Sequence, residues 1–261
     1  MNFETILVQD ADGVRTITLN RPERRNAMTP TTQLELIAAM EGTAAIRSRV
    51  LVFKGAGDAF CSGLDLSSLQ AMHTQSPAEH STDAERIARL FRTLYGLPLP
   101  TIAVVHGAAI AGGAGLATLC DFTLATPAAK FGYTEARIGF VPALVSAYLA
   151  LQIGDKRARD LLLTGRLVDA AEAYRLGLVN EVIAADELEP RLNALLQTLR
   201  ANSPQSLAAT KQLMAAQNRP WLDAAIAQAM EANTHARATA DFREGLAAFL
   251  EKRKPLWQPP E

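Results

Sequence analysis

Between Val104 and Glu135 the sequence leaves few choices of backbone path: a short apolar strand, a helix that starts on glycines, and a further strand that ends beside a carboxylate. Thr101 to Val105 is a β-branched run of strand length, and His106-Gly-Ala-Ala-Ile-Ala-Gly-Gly-Ala-Gly-Leu116 follows it. A helix that begins on bare glycines offers backbone N–H groups that have no carbonyl partner in its first turn. Those donors, with the positive end of the helix dipole, suit a developing negative charge such as an oxyanion. The second strand ends in Phe131-Gly-Tyr-Thr-Glu135, so a glutamate near that oxyanion can move a proton next to a carbonyl.

The flanking pattern is α/β. Val14 to Leu19 alternates like a strand after an Asp12-Gly13 turn. Val50 to Phe53 and Phe122 to Ala125 are continuous apolar runs, the signature of strands buried on both faces. Thr31 to Met40 reads as a helix with Leu34, Ile37 and Ala38 on one face, whereas polar Ser67 to Ala84 reads as a mobile segment or frayed helix. From Ala170 the pattern turns helical. Asn202-Ser203-Pro204 opens one helix. Asp241-Phe-Arg-Glu244 resembles a capping box with Asp241 as N-cap, and Phe242, Leu246, Phe249 and Leu250 then form an apolar stripe. The expected division is an α/β core over 1–195 and a helical region over 196–261.

Composition narrows the function classes. With 261 residues and a net charge of −1, the chain carries no electrostatic footprint for nucleic acid or an anionic membrane. Two cysteines, Cys61 and Cys120, make neither a disulfide framework nor a zinc site, and a reduced, cytoplasmic setting fits. Met1 to Ile6 lacks the basic and apolar pattern of a signal peptide. Leu97 to Cys120 has only His106 as an ionisable group, but Pro98, Pro100 and its glycines break it into pieces of buried core.

Several motifs fail on inspection. Gly107 to Gly112 has P-loop spacing, yet Gly113 and Ala114 follow where Lys and Ser/Thr belong. Gly113-Ala-Gly115 meets Thr118 where a dinucleotide loop needs its third glycine. Ser62 lacks the G-x-S-x-G frame because Phe60 holds the first glycine's place. The four histidines show no metal-ligand spacing, and His106 at a strand end is most simply structural or pocket-lining.

Two glycine-containing turns remain, Gly55 to Asp65 and Ala111 to Gly115, each after a buried strand, where ligands of α/β sheets collect. They belong to a longer pattern. Leu19-Asn-Arg-Pro-Glu-Arg-Arg-Asn-Ala-Met28, Ala59-Phe-Cys-Ser-Gly-Leu-Asp-Leu66 and Ala109-Ile-Ala-Gly-Gly-Ala-Gly-Leu116 stand in order with Cys120-Asp121, Lys130-Phe-Gly132, Leu163-Thr-Gly-Arg166 and Glu251-Lys-Arg-Lys254. In this order nearly the whole chain resembles the enoyl-CoA hydratase/isomerase (crotonase) superfamily. The resemblance implies a spiral of ββα units with a C-terminal helical trimerisation region, assembled as homotrimers or dimers of trimers.

It also implies a site. The backbone N–H groups of Leu64 and Gly112 would form an oxyanion hole for an acyl-CoA thioester, and Glu135 would be the acid/base. Leu64→Ala would then be mild, whereas a side chain at Gly112 would block close approach. Arg24, Ala27, Ser62, Asp65, Gly113, Arg137, Phe249 and Lys252 would bind substrate, with Phe249 and Lys252 reaching the CoA of a neighbouring subunit. Coenzyme A would enter as part of the substrate, with no separate cofactor and no metal.

Hydratases of the family commonly carry two glutamates, and Gly115 stands where the first would be. One carboxylate serves either hydration of a 2,3 double bond or a Δ3,Δ2 isomerisation, and the same oxyanion hole serves decarboxylation of a carboxyacyl thioester. An acyl-CoA-binding scaffold is the non-enzyme alternative. Glu79, Asp83 and Glu85 read as a solvated helix face, Asp65 as tying down its own turn, and Tyr133 and Thr134 as holders of a water. The sequence from Gly115 through Arg137 to Ala143 is similar to bacterial methylglutaconyl-CoA hydratases of leucine breakdown, with Arg137 either pairing a distal substrate carboxylate or serving as a surface or intersubunit salt-bridge residue.

Overall fold

The computed structural model describes residues 3–43, 47–72 and 74–257. Met1 and Asn2, which head the N-terminal reading, and His73, inside the polar stretch, lie outside the described residues. Strands β1 (Ile6–Ala11) and β2 (Val14–Leu19) form a hairpin over Asp12 and Gly13, both at positive φ, as a two-residue turn between twisted strands requires.

After α1 (Pro30–Glu41) the chain alternates between two sheets. It runs β3 (Val50–Gly55), β4 (Ala59–Cys61), α2 (Leu66–Ala71) and α3 (Pro77–Gly96), then β5 (Thr101–Val105), β6 (Ala108–Ile110) and α4 (Gly112–Thr118). A third pass gives β7 (Phe122–Ala125), β8 (Lys130–Gly132), the 3₁₀ turn Glu135–Ile138, α5 (Ala143–Ile153) and α6 (Asp155–Thr164). Then come β9 (Leu167–Asp169), α7 (Ala170–Leu176), β10 (Glu181–Val182), α8 (Leu188–Ala201), α9 (Pro204–Ala236) and α10 (Ala240–Leu250). The large sheet is ordered β1-β2-β3-β5-β7-β10 and the small one β4-β6-β8-β9. Each pass lays one strand in the large sheet, the next in the small sheet, and then a helix. That is the expected spiral of ββα units.

Alternation along the parallel strands divides the core. Leu51, Phe53, Ala103 and Val105 join the main cluster, while Val50, Val52, Ile102 and Val104 meet Leu192, Leu195 and Leu199 of α8 on the other face. A division at 195/196 therefore falls inside a helix that belongs to the sheet. The helical tail starts at Ser203, whose hydroxyl caps α9 with Pro204 in its first turn.

Three local expectations change. In α1 the buried face is Thr32, Gln33, Leu36, Ile37 and Met40, and Leu34 is 50% exposed, because the helix packs on both β1 and α3. The polar stretch forms most of α2 and the first two turns of α3, which opens on a Ser76–Glu79 capping box and packs along α1 and α9. The N-cap of α10 is Thr239, accepting from Phe242 N at 3.2 Å, while Glu244 pairs with Arg253. The stripe also splits: Phe242 and Leu246 are buried, and Phe249 is 56% exposed. Among the described residues no helix is long and apolar enough to cross a membrane.

Helix α10 lies directly on the 3₁₀ turn. The Phe140 and Phe242 rings are 4.8 Å apart, and a Cβ on Gly245 would sit 2.3 Å from the Ile138 carbonyl carbon. Gly245→Ala is expected to push α10 off this turn at a cost of about 1–3 kcal/mol, read as a lower urea midpoint with an unchanged m-value.

Candidate active site

In the small sheet β4, β6 and β8 run parallel and side by side, so their C-terminal ends point the same way. The segments leaving those ends carry Leu64, Gly112 and Glu135, and all three line one cavity of about 670 Å³. Leu64 makes an isolated parallel bridge with Met28. The flanking bonds run from Met28 N to Gly63 O (2.7 Å) and from Asp65 N to Met28 O (3.0 Å). Leu64 N–H takes part in neither and points to the opposite side. Gly112 is the first residue of α4, where no carbonyl reaches its N–H.

The two loops touch. A Cβ on Gly63, at φ 95°, would lie 3.1 Å from Ala111 Cβ, and Ala111 itself is held at φ 52°. Such a backbone costs a non-glycine residue on the order of 1–3 kcal/mol. Ala111 N–H donates to Gly132 O at 2.7 Å and so ties the β6 loop to β8. A Cβ on Gly112 would meet only Met28 Cε, the flexible end of a side chain, at 3.1 Å. Gly113 faces away from the cavity: its Cβ would lie 2.4 Å from Cys61 O, so its smallness lets α4 approach β4. Leu64 has a packing duty as well, against the Met72, Phe140 and Phe242 cluster.

Glu135 opens the 3₁₀ turn. Its Oε2 is fully covered and has no hydrogen-bond partner, and burial pushes the carboxyl up from 4.5 to about 7. In a 3₁₀ helix residues i and i+3 eclipse, so Glu135 and Ile138 share the cavity face. Arg137 turns outward, exposed beside Gly165, and does not line the cavity. Tyr133 is withdrawn too, buried with its hydroxyl 3.1 Å from Thr118 Oγ1, and only Thr134 joins Glu135 at the wall.

Among the described residues no second carboxylate at the cavity is free to assist. A Cβ on Gly115 would lie 2.7 Å from Val145 Cγ1 and 3.1 Å from Phe91 Cζ, so apolar side chains fill the space around that position. Asp65 does tie down its turn: it caps α2 through Ser67 N (3.0 Å) and Ser67 Oγ, and pairs with Arg21 at 2.9 Å. Glu79 belongs to its capping box and Glu85 is exposed. Asp83 is not on a solvated face but half-buried between Arg86 and Arg237.

At the mouth, Arg24, Ala27, Ser62 and Asp65 line the cavity with Arg21 and Arg25. Arg25 and Asn26 both sit at positive φ. Buried Asn26 holds that turn, accepting from Arg21 N and donating to Ala56 O and Ala59 O at 2.8–2.9 Å. Ser62 N donates to Arg25 O at 3.0 Å, which joins the arginine turn to the Leu64 loop. Phe249 lines the cavity of its own chain, whereas Lys252, past the end of α10 at φ 54°, does not. Gln33 and Asn233 are further lining residues that no local sequence signal marked.

His106 is structural, with Nε2 2.7 Å from Gly57 O. Both cysteines are buried, and desolvation pushes the Cys61 thiol up to about 12, so neither offers a thiolate. Among the described residues no three His, Cys, Asp or Glu side chains gather as metal ligands.

The folded chain keeps the Glu135 proton up to about pH 7, whereas an ordinary carboxyl releases it near 4.5. Stability from this group is therefore full at low pH, declines as pH rises across that interval and is level above it. Glu135→Gln, neutral throughout, is expected to gain stability relative to the parent across the same window, by at most roughly 3 kcal/mol, in urea titrations at stepped pH.

The family model for enoyl-CoA hydratase/isomerase matches residues 9–260. A relative from Thermus thermophilus is 42% identical over 243 residues, covering 93% of this chain and 96% of that one. The crotonyl-CoA hydratase of Syntrophomonas wolfei is 33% identical, covering 97% and 98%. The crystal structure of an enoyl-CoA hydratase from Mycobacterium avium subsp. paratuberculosis K-10 superposes with a TM-score of 0.87 at 30% identity, covering 99% of this chain and all of that one. The chain belongs to the enoyl-CoA hydratase/isomerase family.

Proposed function

We propose that the chain adds water across the 2,3 double bond of an acyl-CoA thioester, with Glu135 as the sole acid/base. The observation that carries this reading is a covered, unpartnered Glu135 oxygen in a cavity that two unclaimed backbone N–H groups also line. The Glu135 carboxylate takes a proton from water as the water oxygen bonds to C3. The double-bond electrons move through C2 into the thioester oxygen, where Leu64 N–H and Gly112 N–H hold the enolate. The same carboxyl then returns the proton to C2, regenerating the carboxylate and completing a syn addition. Removing one such donor typically costs about 2.7–4 kcal/mol of transition-state stabilisation.

Coenzyme A enters as part of the substrate, its charged nucleotide end meeting exposed Arg24 and Arg25 and its acyl end reaching the apolar interior. Exposed Leu213, Met214 and Trp221 on α9 support self-association, with trimers or paired trimers as the expected state, and two buried free thiols suit a reducing cytoplasm. Arg137 lies outside the cavity and lends no support to the leucine-breakdown substrate.

Glu135→Gln should lower kcat for crotonyl-CoA hydration by about 10²–10⁴-fold while a saturated acyl-CoA binds within a few-fold of the parent. The parent kcat/KM should rise with pH through about 7 and then level, because the base acts as its carboxylate. A parent with no rate to lose would mean an acyl-CoA-binding scaffold. A parent that only shifts a 3-enoyl double bond would mean an isomerase.

A further inference from the structure

Most of the cavity interior is apolar, with Ile87, Leu90, Phe91 and Val145 on its wall, yet two buried carboxamides interrupt it, while a third, Gln70, is exposed. Gln33 on α1 is 3% exposed and Asn233 on α9 is 4% exposed, so both are buried parts of the wall, in contrast to the exposed Arg24 and Arg25 at the mouth. Each amide has its oxygen engaged from behind by a guanidinium. Arg86 Nε donates to Gln33 Oε1 at 3.0 Å, and Arg237 Nε donates to Asn233 Oδ1 at 3.1 Å. With the oxygens committed, the NH₂ groups are fixed as the free ends. Neither nitrogen has a partner among the described residues, and both residues line the cavity.

The charge behind these amides is unbalanced toward positive. Arg86 and Arg237 share a single carboxylate, Asp83, and Arg237 Nη2 is buried without any acceptor. Desolvation and neighbouring Arg86 lower Arg237 only to about 10, so it stays cationic at neutral pH. Two donor-bearing side chains on the cavity wall, backed by a net positive charge, suit an anionic oxygen pair far better than a methyl group.

From this arrangement we infer that Gln33 and Asn233 form a distal subsite that selects acyl-CoA substrates ending in a carboxylate. The inference rests on the reading of the cavity as an acyl-CoA site. A site built to hydrogen-bond a polar group discriminates strongly against an analogue that lacks it, because its own donors are then left buried and unpaired.

The test compares a 2-enoyl-CoA ending in a carboxylate with its methyl-ended isostere. The expected kcat/KM ratio in the parent protein favours the carboxylate by about 10- to 100-fold, the range for hydrogen bonds to a charged group. Asn233→Asp and Gln33→Glu keep the shape and the bond to their arginine but replace a donor by an acceptor. Either should bring the ratio down by at least as much, through KM rather than kcat. Titration calorimetry with the two saturated acyl-CoA analogues reads the same preference as a Kd ratio. That arm tests the subsite even if neither enoyl thioester is hydrated, and it reports whether each variant still folds and binds. A parent that binds the methyl-ended analogue as well as the carboxylated one, or a ratio that both variants leave unmoved, would overturn the subsite.

Discussion

Three short parallel strands lying side by side hold the site together. Because β4, β6 and β8 end at the same edge, the residues that follow them are neighbours in space although they are far apart in sequence. The pairing also disposes of backbone groups. Bridge bonds around Met28 and Leu64 use the flanking donors and leave Leu64 N–H over, while the start of α4 leaves Gly112 N–H over. Donors fixed by a sheet and a helix need no reorganisation when charge develops, which is the condition for strong electrostatic stabilisation. The close approaches at Gly63 and Gly113 and the strained Ala111 backbone are the local consequences of bringing these loops together.

A lone carboxylate follows from packing as much as from chemistry. Phe91 and Val145 occupy the space that a side chain at Gly115 would need, so the pocket is sealed against a second acid there. Burial leaves Glu135 Oε2 without partners and raises its affinity for a proton, placing its two protonation states close in energy near neutral pH. A group that must both accept and return a proton works best in that range. Helix α10, seated on the 3₁₀ turn through Phe242 and Gly245, completes the enclosure and brings Phe249 to the cavity.

Much of this was readable in the chain. Val50 to Phe53, Thr101 to Val105 and Phe122 to Ala125 announce strands because burial on both faces demands continuous apolar residues, and the glycines of the Ala111 loop mark the helix start. Strands β4, β6, β8 and β9 have three residues each and β10 has two, too few for periodicity to register, so the small sheet that aligns the site stayed hidden. Between the two readings of Arg137 its spacing from Glu135 cannot decide; the 3₁₀ turn does, leaving the side chain exposed at the surface. Asp83 looked solvated because its partner Arg237 lies 154 residues away. Gln33 and Asn233 come from two distant helices, and nothing near either one in sequence records the meeting.

The mass of the product formed from crotonyl-CoA in oxygen-18 water separates the two reactions open to a lone carboxylate. Hydration by the Glu135 and oxyanion arrangement requires a product that gains two hydrogens and one oxygen-18 atom, with the label at C3. A crotonyl-CoA pool whose mass stays unchanged, while a 3-enoyl thioester is converted to its 2-enoyl isomer without gaining oxygen, would contradict it and show that this carboxylate moves protons only between carbons.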